Sequence, residues 1–535
     1  MVSAKAQSKA KRDRADLPWR LLQATALVVL ALVVLRYGLS VARFFHWALA
    51  CPYEVEYGEG ILLRNALNIA HGRALYHNFH HYPFTVATYP PVYPLLSAVG
   101  VWLMGPSFFF GRLLSMLAAG ATGFFIFLML RRAGVSPFGA AFGAMLFLGA
   151  PAVPRWAIVM RVDMVAVAFG AAGLYFALRG GRWLWVAVAM LVLAAYTRQS
   201  QVGPLVASVV YLLWSRRTRE ALLLAGGFGL VSLAVLAALQ IGSHGWFYQH
   251  VIVANMNLWE YKRLVDVWSW AFPTWRWPFL IGAAGCLFAL LAPAPAPGEP
   301  PDTRNRPERL FLLYFLCAMA LSITAGKVGS YVNYMLEPIA AAALMAGVCY
   351  EHLARWLGAG WRRVVWVPLW LLMVAPPARV LATPGRTPYE PYDFQPPAIM
   401  AAGQVLVPLL RATRGDIISE DTGLLLITGH EILLDPHKMS SMSRDGNWDP
   451  TELLADINRR RFRFVILTWN PLTEPLDQWN CYGWYRWTKG MGDAIKRNYY
   501  LVLKAGYLYL LAPADARHPS VQQVLDKGRQ KIPAP

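Results

Sequence analysis

Several segments of the chain place ionisable side chains where chemistry could be done. Cys51-Pro-Tyr-Glu-Val-Glu-Tyr-Gly-Glu-Gly brings together Glu54, Glu56 and Glu59. Carboxylates held against low-dielectric material have raised pKa values, which suits a general base. Arg161-Val-Asp163 sets a guanidinium beside a carboxylate it can position, and Tyr196-Thr-Arg-Gln-Ser offers Arg198. Gly326-Lys-Val-Gly-Ser-Tyr-Val-Asn-Tyr-Met-Leu-Glu337 offers Lys327, Asn333 and Tyr334, and His250-Val-Ile-Val-Ala-Asn-Met-Asn is a further polar run. Arginine and lysine suit an anionic group such as a phosphate. Each group alone has a plainer explanation, as a snorkelling side chain, a local ion pair or a solvated glutamate after a helix end. Their recurrence in separate loops is what favours function.

The first of these loops continues through Arg64 and an amphipathic stretch with Ile61, Leu62, Leu63, Ala66, Leu67, Ile69 and Ala70, ended by Gly72. That pattern suits a short helix lying along a membrane interface. Gly72-Arg-Ala-Leu-Tyr76 follows, then Tyr89-Pro-Pro-Val-Tyr. The double proline fixes an extended turn before an apolar run, 92–104, too short to span comfortably and expected to be juxtamembrane or re-entrant. His71, His77, His80 and His81 match no established ligand spacing and read as interfacial residues rather than metal ligands.

The elements that must position these groups are set by composition. Of 535 residues, 57% are hydrophobic and 15% charged, against about a quarter charged in soluble proteins. A membrane protein follows, and disorder, collagen and a disulfide scaffold are excluded. Five cysteines form no framework or zinc set. With roughly 20 apolar residues per membrane-spanning helix, about eleven spans are expected near 21–43, 108–130, 139–156, 163–178, 183–197, 202–214, 221–241, 271–292, 310–325, 334–350 and 364–382.

Charge orients them. Placing the N-terminus in the cytoplasm puts nineteen basic residues inside, from Lys5 through Arg131, Arg179, Arg216 and Arg306 to Arg363, against eight in the outer loops before residue 383. This asymmetry predicts a cytoplasmic N-terminus and an extracytoplasmic C-terminal domain in an inner, cytoplasmic membrane, and explains most of the +20 net charge without nucleic acid. The basic tail 1–20 and the apolar run after it read as an uncleaved anchor. The multi-helix membrane domain is expected over 1–382, with the first outer loop at 44–107 and a proline-rich linker from Pro293 to Arg309.

From about 383 to 535 the hydropathy falls to that of a soluble domain. Strands are expected at Asp416-Ile-Ile-Ser, Phe464-Val-Ile-Leu-Thr and Tyr499-Tyr-Leu-Val-Leu, and a helix from Asp449 to Arg461 with Pro450 in its first turn. The fold class is thus an α-helical polytopic membrane protein with a small extracytoplasmic α/β domain. Trp448, Trp469, Trp479, Trp484 and Trp487 suit either stacking on sugar rings or the core of that domain.

No nucleophile elbow, phosphate-binding glycine loop or zinc-helix motif is present. A transporter would spread polar groups through the mid-plane, whereas here only Arg36, Arg112 and Glu337 lie deep. The order of the acidic first loop, Gly72-x-x-Leu-Tyr76, Tyr89-Pro-Pro-Val-Tyr, Arg161-x-Asp163 and Tyr196-Thr-Arg-Gln resembles the GT-C superfamily of polyprenyl-phosphate-sugar-dependent membrane glycosyltransferases. Within it the chain is similar to the branch of aminoarabinose transferases and protein O-mannosyltransferases, over roughly residues 20–382.

The resemblance implies juxtamembrane helices over an outer cavity, a polyprenyl-phosphate-linked sugar donor, and a glycan, lipid or protein acceptor. The family's first-loop Asp-Glu pair falls on Gly58-Glu59, so the aspartate is missing. Glu56 or Glu59 must then take over as base, with Asp163 as the second acidic position. Glu54, Arg64, Tyr89, Arg161, Arg198, Lys327, Asn333 and Tyr334 are the substrate-binding candidates, Arg198 and Lys327 for the lipid-linked phosphate. No cofactor is fixed by the sequence, and a divalent metal stays open. A single displacement with inversion is expected. The alternatives are a glycan polymerase or ligase with a diphosphate-linked donor, a lipid or solute transporter, and a non-catalytic subunit.

Overall fold

The computed structural model describes residues 21–291 apart from a few positions near the start of the first helix, then 306–356, 396–476 and 486–514. Helix α1 runs unbroken over 34–50 and leads into the loop of three glutamates. Glu59–Ala70 (α2) and Val92–Met104 (α3) are the two short helices expected of the first loop. Phe109–Arg132 (α4) follows, ending on Arg131 and Arg132 where basic side chains complement the helix dipole.

The expected span 139–156 is two helices, Pro137–Leu148 (α5) and Ala152–Ala157 (α6). Pro151 has no N–H to continue the first, so the chain breaks there and carries Trp156 toward the polar end. Next come Val162–Arg179 (α7), Leu184–Thr197 (α8), Gly203–Trp214 (α9), Thr218–Gly242 (α10), Trp246–Val251 (α11), Tyr261–Leu291 (α12), Pro307–Ser322 (α13) and Leu336–Trp356 (α14). Five helical segments among the described residues are long and apolar enough to cross a membrane: α4, α7, α10, Pro307–Gly326 and Val332–Trp356. The others are shorter or carry polar ends, and the expected span 364–382 lies outside the described residues.

Burial separates their roles. The apolar window of the segment Val332–Trp356 is 89% buried, whereas that of α10 is 6% buried, so α14 is the axis of the bundle and α10 its lipid-facing rim. Helix α12 crosses α14 at Gly285, where a Cβ would lie 2.1 Å from the Met345 carbonyl oxygen. Only glycine permits that approach.

The C-terminal unit is a four-stranded sheet in the order β1-β2-β4-β3. Ile417–Ser419 (β1) pairs in parallel with Phe464–Leu467 (β2), which pairs antiparallel with Leu508–Pro513 (β4), itself in a hairpin with Tyr499–Ala505 (β3). Strand β4 has no counterpart among the sequence expectations. Both parallel strands are buried throughout, because helices cover both faces. Pro396–Arg411 (α15) and Thr422–Ile427 (α16) pack on one side, and Pro436–Arg444 (α17), Thr451–Asn458 (α18) and Lys489–Asn498 (α19) on the other. Helix α18 is shorter than expected and is opened by Asp449, which accepts the Thr451 N–H at 3.0 Å. Trp448, Trp469 and Trp487 are core residues of this unit, which answers the stacking alternative for those three; Trp479 and Trp484 lie outside the described residues.

The sheet unit is sewn to the first loop. Phe84 donates its N–H to Leu433 and accepts from Asp435, and Phe79, Phe84 and Val86 share a core with Met439, Trp448 and Leu453. At the other end of the bundle the basic residues gather, with Arg131, Arg217 and Arg355 bonded to turn carbonyls or to Glu220 and Glu351.

Candidate active site

Three glutamates within nine residues of the end of α1 meet three different fates. Glu59 opens α2 and faces inward. Its Oε1 and Oε2 accept from Arg112 Nε and Nη2 at 2.9 and 2.8 Å, and neither side chain is exposed. Oε1 also accepts the Met160 N–H at 2.6 Å, and Oε2 that of Val55 at 2.7 Å. Arg112 spends its remaining donors on the carbonyls of Ala48, Cys51 and Tyr53. The pair fixes the loop and leaves Glu59 no free oxygen for a substrate.

Glu54 turns toward the sheet unit. It is buried and accepts from Gly58 N–H at 3.0 Å and Gly423 N–H at 2.6 Å. Burial, and then the neighbouring Asp421, hold its carboxyl well above the usual carboxylate range.

Glu56 remains. Its Oε2 has no hydrogen-bond partner among the described residues although it is enclosed, and the side chain keeps 31% of its area exposed, facing Arg161 Nε at 3.6 Å. Burial pushes this carboxyl up to about 7, against the pull of Arg161. Arg161 precedes α7 in extended backbone, and its guanidinium lies over the rings of Trp156 and Tyr89. Its Nη2 reaches Tyr89 Oη at 3.4 Å, and its Nη1 reaches the Tyr57 carbonyl, also at 3.4 Å.

Beyond Arg161 the line continues inward. Asp163 is wholly buried at the start of α7; its Oδ1 forms an ion pair with Arg198 Nη1 at 3.1 Å and accepts from Asn333 Nδ2 at 2.8 Å. Its Oδ2 has no hydrogen bond and stands 3.9 Å from Arg161 Nε. Arg198 in turn lies 4.4 Å over the Tyr334 ring. So Glu56, Tyr89, Arg161, Asp163, Arg198, Asn333 and Tyr334, drawn from five chain segments, form one contiguous line. Two enclosed carboxylate oxygens, from Glu56 and Asp163, face one guanidinium nitrogen at distances too long for hydrogen bonds. The arrangement can take a proton at Glu56 while Arg161 and Arg198 hold positive charge beside it.

Three candidates lie apart from the line. Arg64 is buried on α2, with no hydrogen bond or ion pair among the described residues, and burial pulls it down to about 10. Lys327 sits on the loop before α14 beside Lys438 of the sheet unit. Glu54 belongs to the seam with that unit.

The donor set does not fit a divalent cation. The two carboxylates of the line flank a guanidinium, so a cation between them would stand against Arg161. Among the described residues no three His, Cys, Asp or Glu side chains converge as a metal set. No step is derived through a metal. His77 packs on His250 and His250 on Phe79, with His250 bonded to the Ala87 N–H and the His77 carbonyl.

Sequence reasoning saw Arg112 only as a deep charge and passed over Trp156, Tyr57 and Lys438. A lone arginine in an apolar helix was the available signal for Arg112. Nothing local marks Lys438.

Comparison with known proteins adds the following. The family model described as dolichyl-phosphate-mannose-protein mannosyltransferase matches residues 88–241. The undecaprenyl phosphate-α-4-amino-4-deoxy-L-arabinose arabinosyl transferase 1 of Pseudomonas fluorescens is 25% identical over 281 residues, covering 49% of this chain and 47% of that protein. The match thus spans about half the length of that relative. Among solved structures, ArnT from Cupriavidus metallidurans bound to undecaprenyl phosphate superposes with a TM-score of 0.59 at 13% identity, over 91% of this chain and 98% of that one. The Archaeoglobus fulgidus oligosaccharyltransferase in complex with Zn and sulfate superposes with a TM-score of 0.51 at 12% identity, over 87% and 71% respectively.

Proposed function

Starting from a chain with the fold of the GT-C membrane glycosyltransferases, we propose that this protein transfers a sugar from a polyprenyl-phosphate donor to an acceptor hydroxyl at the outer face of the membrane. The observation that carries the reading is the pair of enclosed, hydrogen-bond-free oxygens, Glu56 Oε2 and Asp163 Oδ2, set on either side of Arg161. The match to the arabinosyl transferase, and the undecaprenyl phosphate bound by the Cupriavidus protein, support the donor class.

In the reaction the acceptor O–H meets Glu56, which takes the proton. The acceptor oxygen bonds to the anomeric carbon as the bond from that carbon to the phosphate oxygen breaks, and the electron pair leaves with the polyprenyl phosphate. The configuration inverts because one displacement occurs. Asp163 is held by Arg198 and Asn333, and its free oxygen orients the sugar. Arg161 and Arg198 matter most as negative charge grows on the leaving phosphate. Glu59 acts through the loop it holds and is a positioning residue.

On this reading residues 1–382 form the membrane catalytic domain and 383–535 an extracytoplasmic domain that closes over the first loop, with the N-terminus cytoplasmic. The test is transfer of labelled sugar from a polyprenyl-phosphate donor by the purified chain, with Glu56→Gln beside wild type. Loss of transfer with unchanged melting supports the reading; full activity in Glu56→Gln removes Glu56 as the base.

A further inference from the structure

Two cations of this fold make no ion pair among the described residues and sit beside an apolar ledge. Lys438, the third residue of α17, is 6% exposed. Its ammonium makes one hydrogen bond, to Asn257 Oδ1 at 3.0 Å, and its other donors have no acceptor among the described residues. Asp435 caps the same helix turn but is engaged by the Tyr57 hydroxyl at 2.6 Å and by the Lys438 backbone N–H, and makes no ion pair with the ammonium. Burial pulls Lys438 down to about 8 against the pull of Asp435 and Asp445, and the nearby charge of Lys327 adds to the depression. Lys327 is half-buried, and its ammonium makes no hydrogen bond or ion pair among the described residues. Burying one ammonium beside another costs free energy that Asp435 and Asp445, neither in an ion pair with Lys438 among the described residues, offset only in part, since its pKa still falls.

The backbone holds the two lysines in register. Residues 258–260 run alongside 326–328, with Val328 N–H donating to Leu258 and Glu260 N–H to Gly326, both at 2.9 Å. Asn257 Nδ2 donates to the Val328 carbonyl at 2.8 Å while its Oδ1 holds Lys438. The same strip exposes Met256, Leu258, Trp259 and Tyr261, with Ile323 alongside. Exposed apolar residues are ordinary in a membrane protein; here they adjoin two cations without an ion pair among the described residues.

We infer that Lys438 and Lys327, braced by Asn257, hold the phosphate of a long-chain lipid whose chain lies on the ledge of Met256, Leu258 and Trp259. This rests on the proposed donor class and extends it, since it makes the sheet unit contribute a side chain to the donor's binding. Tyr57 joins the site to the catalytic line: its hydroxyl bonds Asp435, its ring meets His437 edge-on at 5.7 Å, and its carbonyl receives Arg161. Arg198, committed to Asp163, is left to act on charge that develops during transfer.

The test uses the full chain in phosphatidylcholine nanodiscs and measures binding of undecaprenyl phosphate, undecaprenol and phosphatidylglycerol, with inorganic phosphate as competitor. Wild type is expected to prefer undecaprenyl phosphate to undecaprenol. Lys327→Gln and Lys438→Gln should each weaken the phosphate lipid by about tenfold, as for loss of one charge-assisted bond, and leave undecaprenol unchanged. Lys438→Arg, which keeps the charge, should retain most of the preference and guards against simple misfolding. Undiminished preference in the double Gln variant overturns this inference and leaves the donor class standing. A wild type that does not distinguish the phosphate from the alcohol overturns both. Equal binding of phosphatidylglycerol makes this a general headgroup site, and full competition by equimolar inorganic phosphate makes it a free-phosphate site; either result overturns the assignment to the donor.

Discussion

Glu59 and Arg112, 53 residues apart, meet through both oxygens of one and two nitrogens of the other, with no exposed surface on either side chain. Breaking a buried pair on one side leaves an uncompensated charge and costs about 3–5 kcal/mol. Glu59→Gln keeps the shape and one acceptor, whereas Arg112→Met also abandons three backbone carbonyls. Thermal unfolding in detergent should show a loss for Glu59→Gln and a larger one for Arg112→Met. An unshifted melting curve for Arg112→Met would remove the pair from its structural role.

The Glu56 carboxyl, raised to about 7 by burial against Arg161, sets a pH dependence. A general base works only when deprotonated, so kcat/KM should climb with pH through about 7 and level off above it. Arg161 stabilises the carboxylate, so Arg161→Gln should move that limb to higher pH as well as slow the reaction. Glu56→Gln should lower transfer by roughly 10²–10⁴ and abolish the limb. A pH profile in Glu56→Gln that still rises through neutrality would assign the limb to another group.

The sequence alone carried the membrane class, the juxtamembrane helices at Glu59–Ala70 and Val92–Met104, and three of the four strands, because each rests on local periodicity and turn chemistry. All seven residues that the structure brings together in the line from Glu56 to Tyr334 were among its candidates. It could not divide the work among Glu54, Glu56 and Glu59, since that depends on partners at Gly423, Arg161 and Arg112, brought in by tertiary packing. Strand β4 was missed because Leu508–Pro513 is a plain apolar run that borders β3 by only the Gly506 turn. Lys438 gave no signal, because its meaning comes from Asn257 and Lys327, far away in the chain.

Asp163 neutralises Arg198 at 3.1 Å and accepts from Asn333 at 2.8 Å. Asp163→Asn removes the charge that Arg198 faces and should reduce transfer severely, with some loss of stability. Asn333→Ala removes one neutral bond and should cost about 1 kcal/mol in kcat/KM, near fivefold. Asn333→Asp would set a second carboxylate against Asp163 and should be worse than Asn333→Ala. Steady-state kinetics of the three variants checks the order, and an Asn333→Asp variant more active than Asn333→Ala would contradict it.

Glu54 and Asp421 give the seam between the first loop and the sheet unit its own pH response. Both carboxyls are buried, Glu54 on the Gly58 and Gly423 N–H groups and Asp421 on the Leu424 N–H and the Tyr507 hydroxyl. Burial raises both above their usual range; the neighbouring Asp421 raises Glu54 further, while the bonds from Tyr507, Leu424 and Glu54 pull Asp421 partly back. A carboxyl whose folded pKa is raised binds protons more tightly folded than unfolded, so its stabilising contribution is complete below the ordinary carboxylate range and is lost as pH rises through the folded value. Stability of the full chain should therefore fall over that rise, and Glu54→Gln, which keeps the acceptor oxygen without the charge, should flatten the fall. Gly423→Val offers an independent check on the same seam, because even a Cβ there would stand 2.8 Å from Glu54 and 2.7 Å from the Phe108 ring. It should loosen the sheet unit at every pH, seen as faster proteolysis after residue 396, while Glu54→Gln should not. Equal pH slopes in wild type and Glu54→Gln would show that the seam's ionisation lies elsewhere.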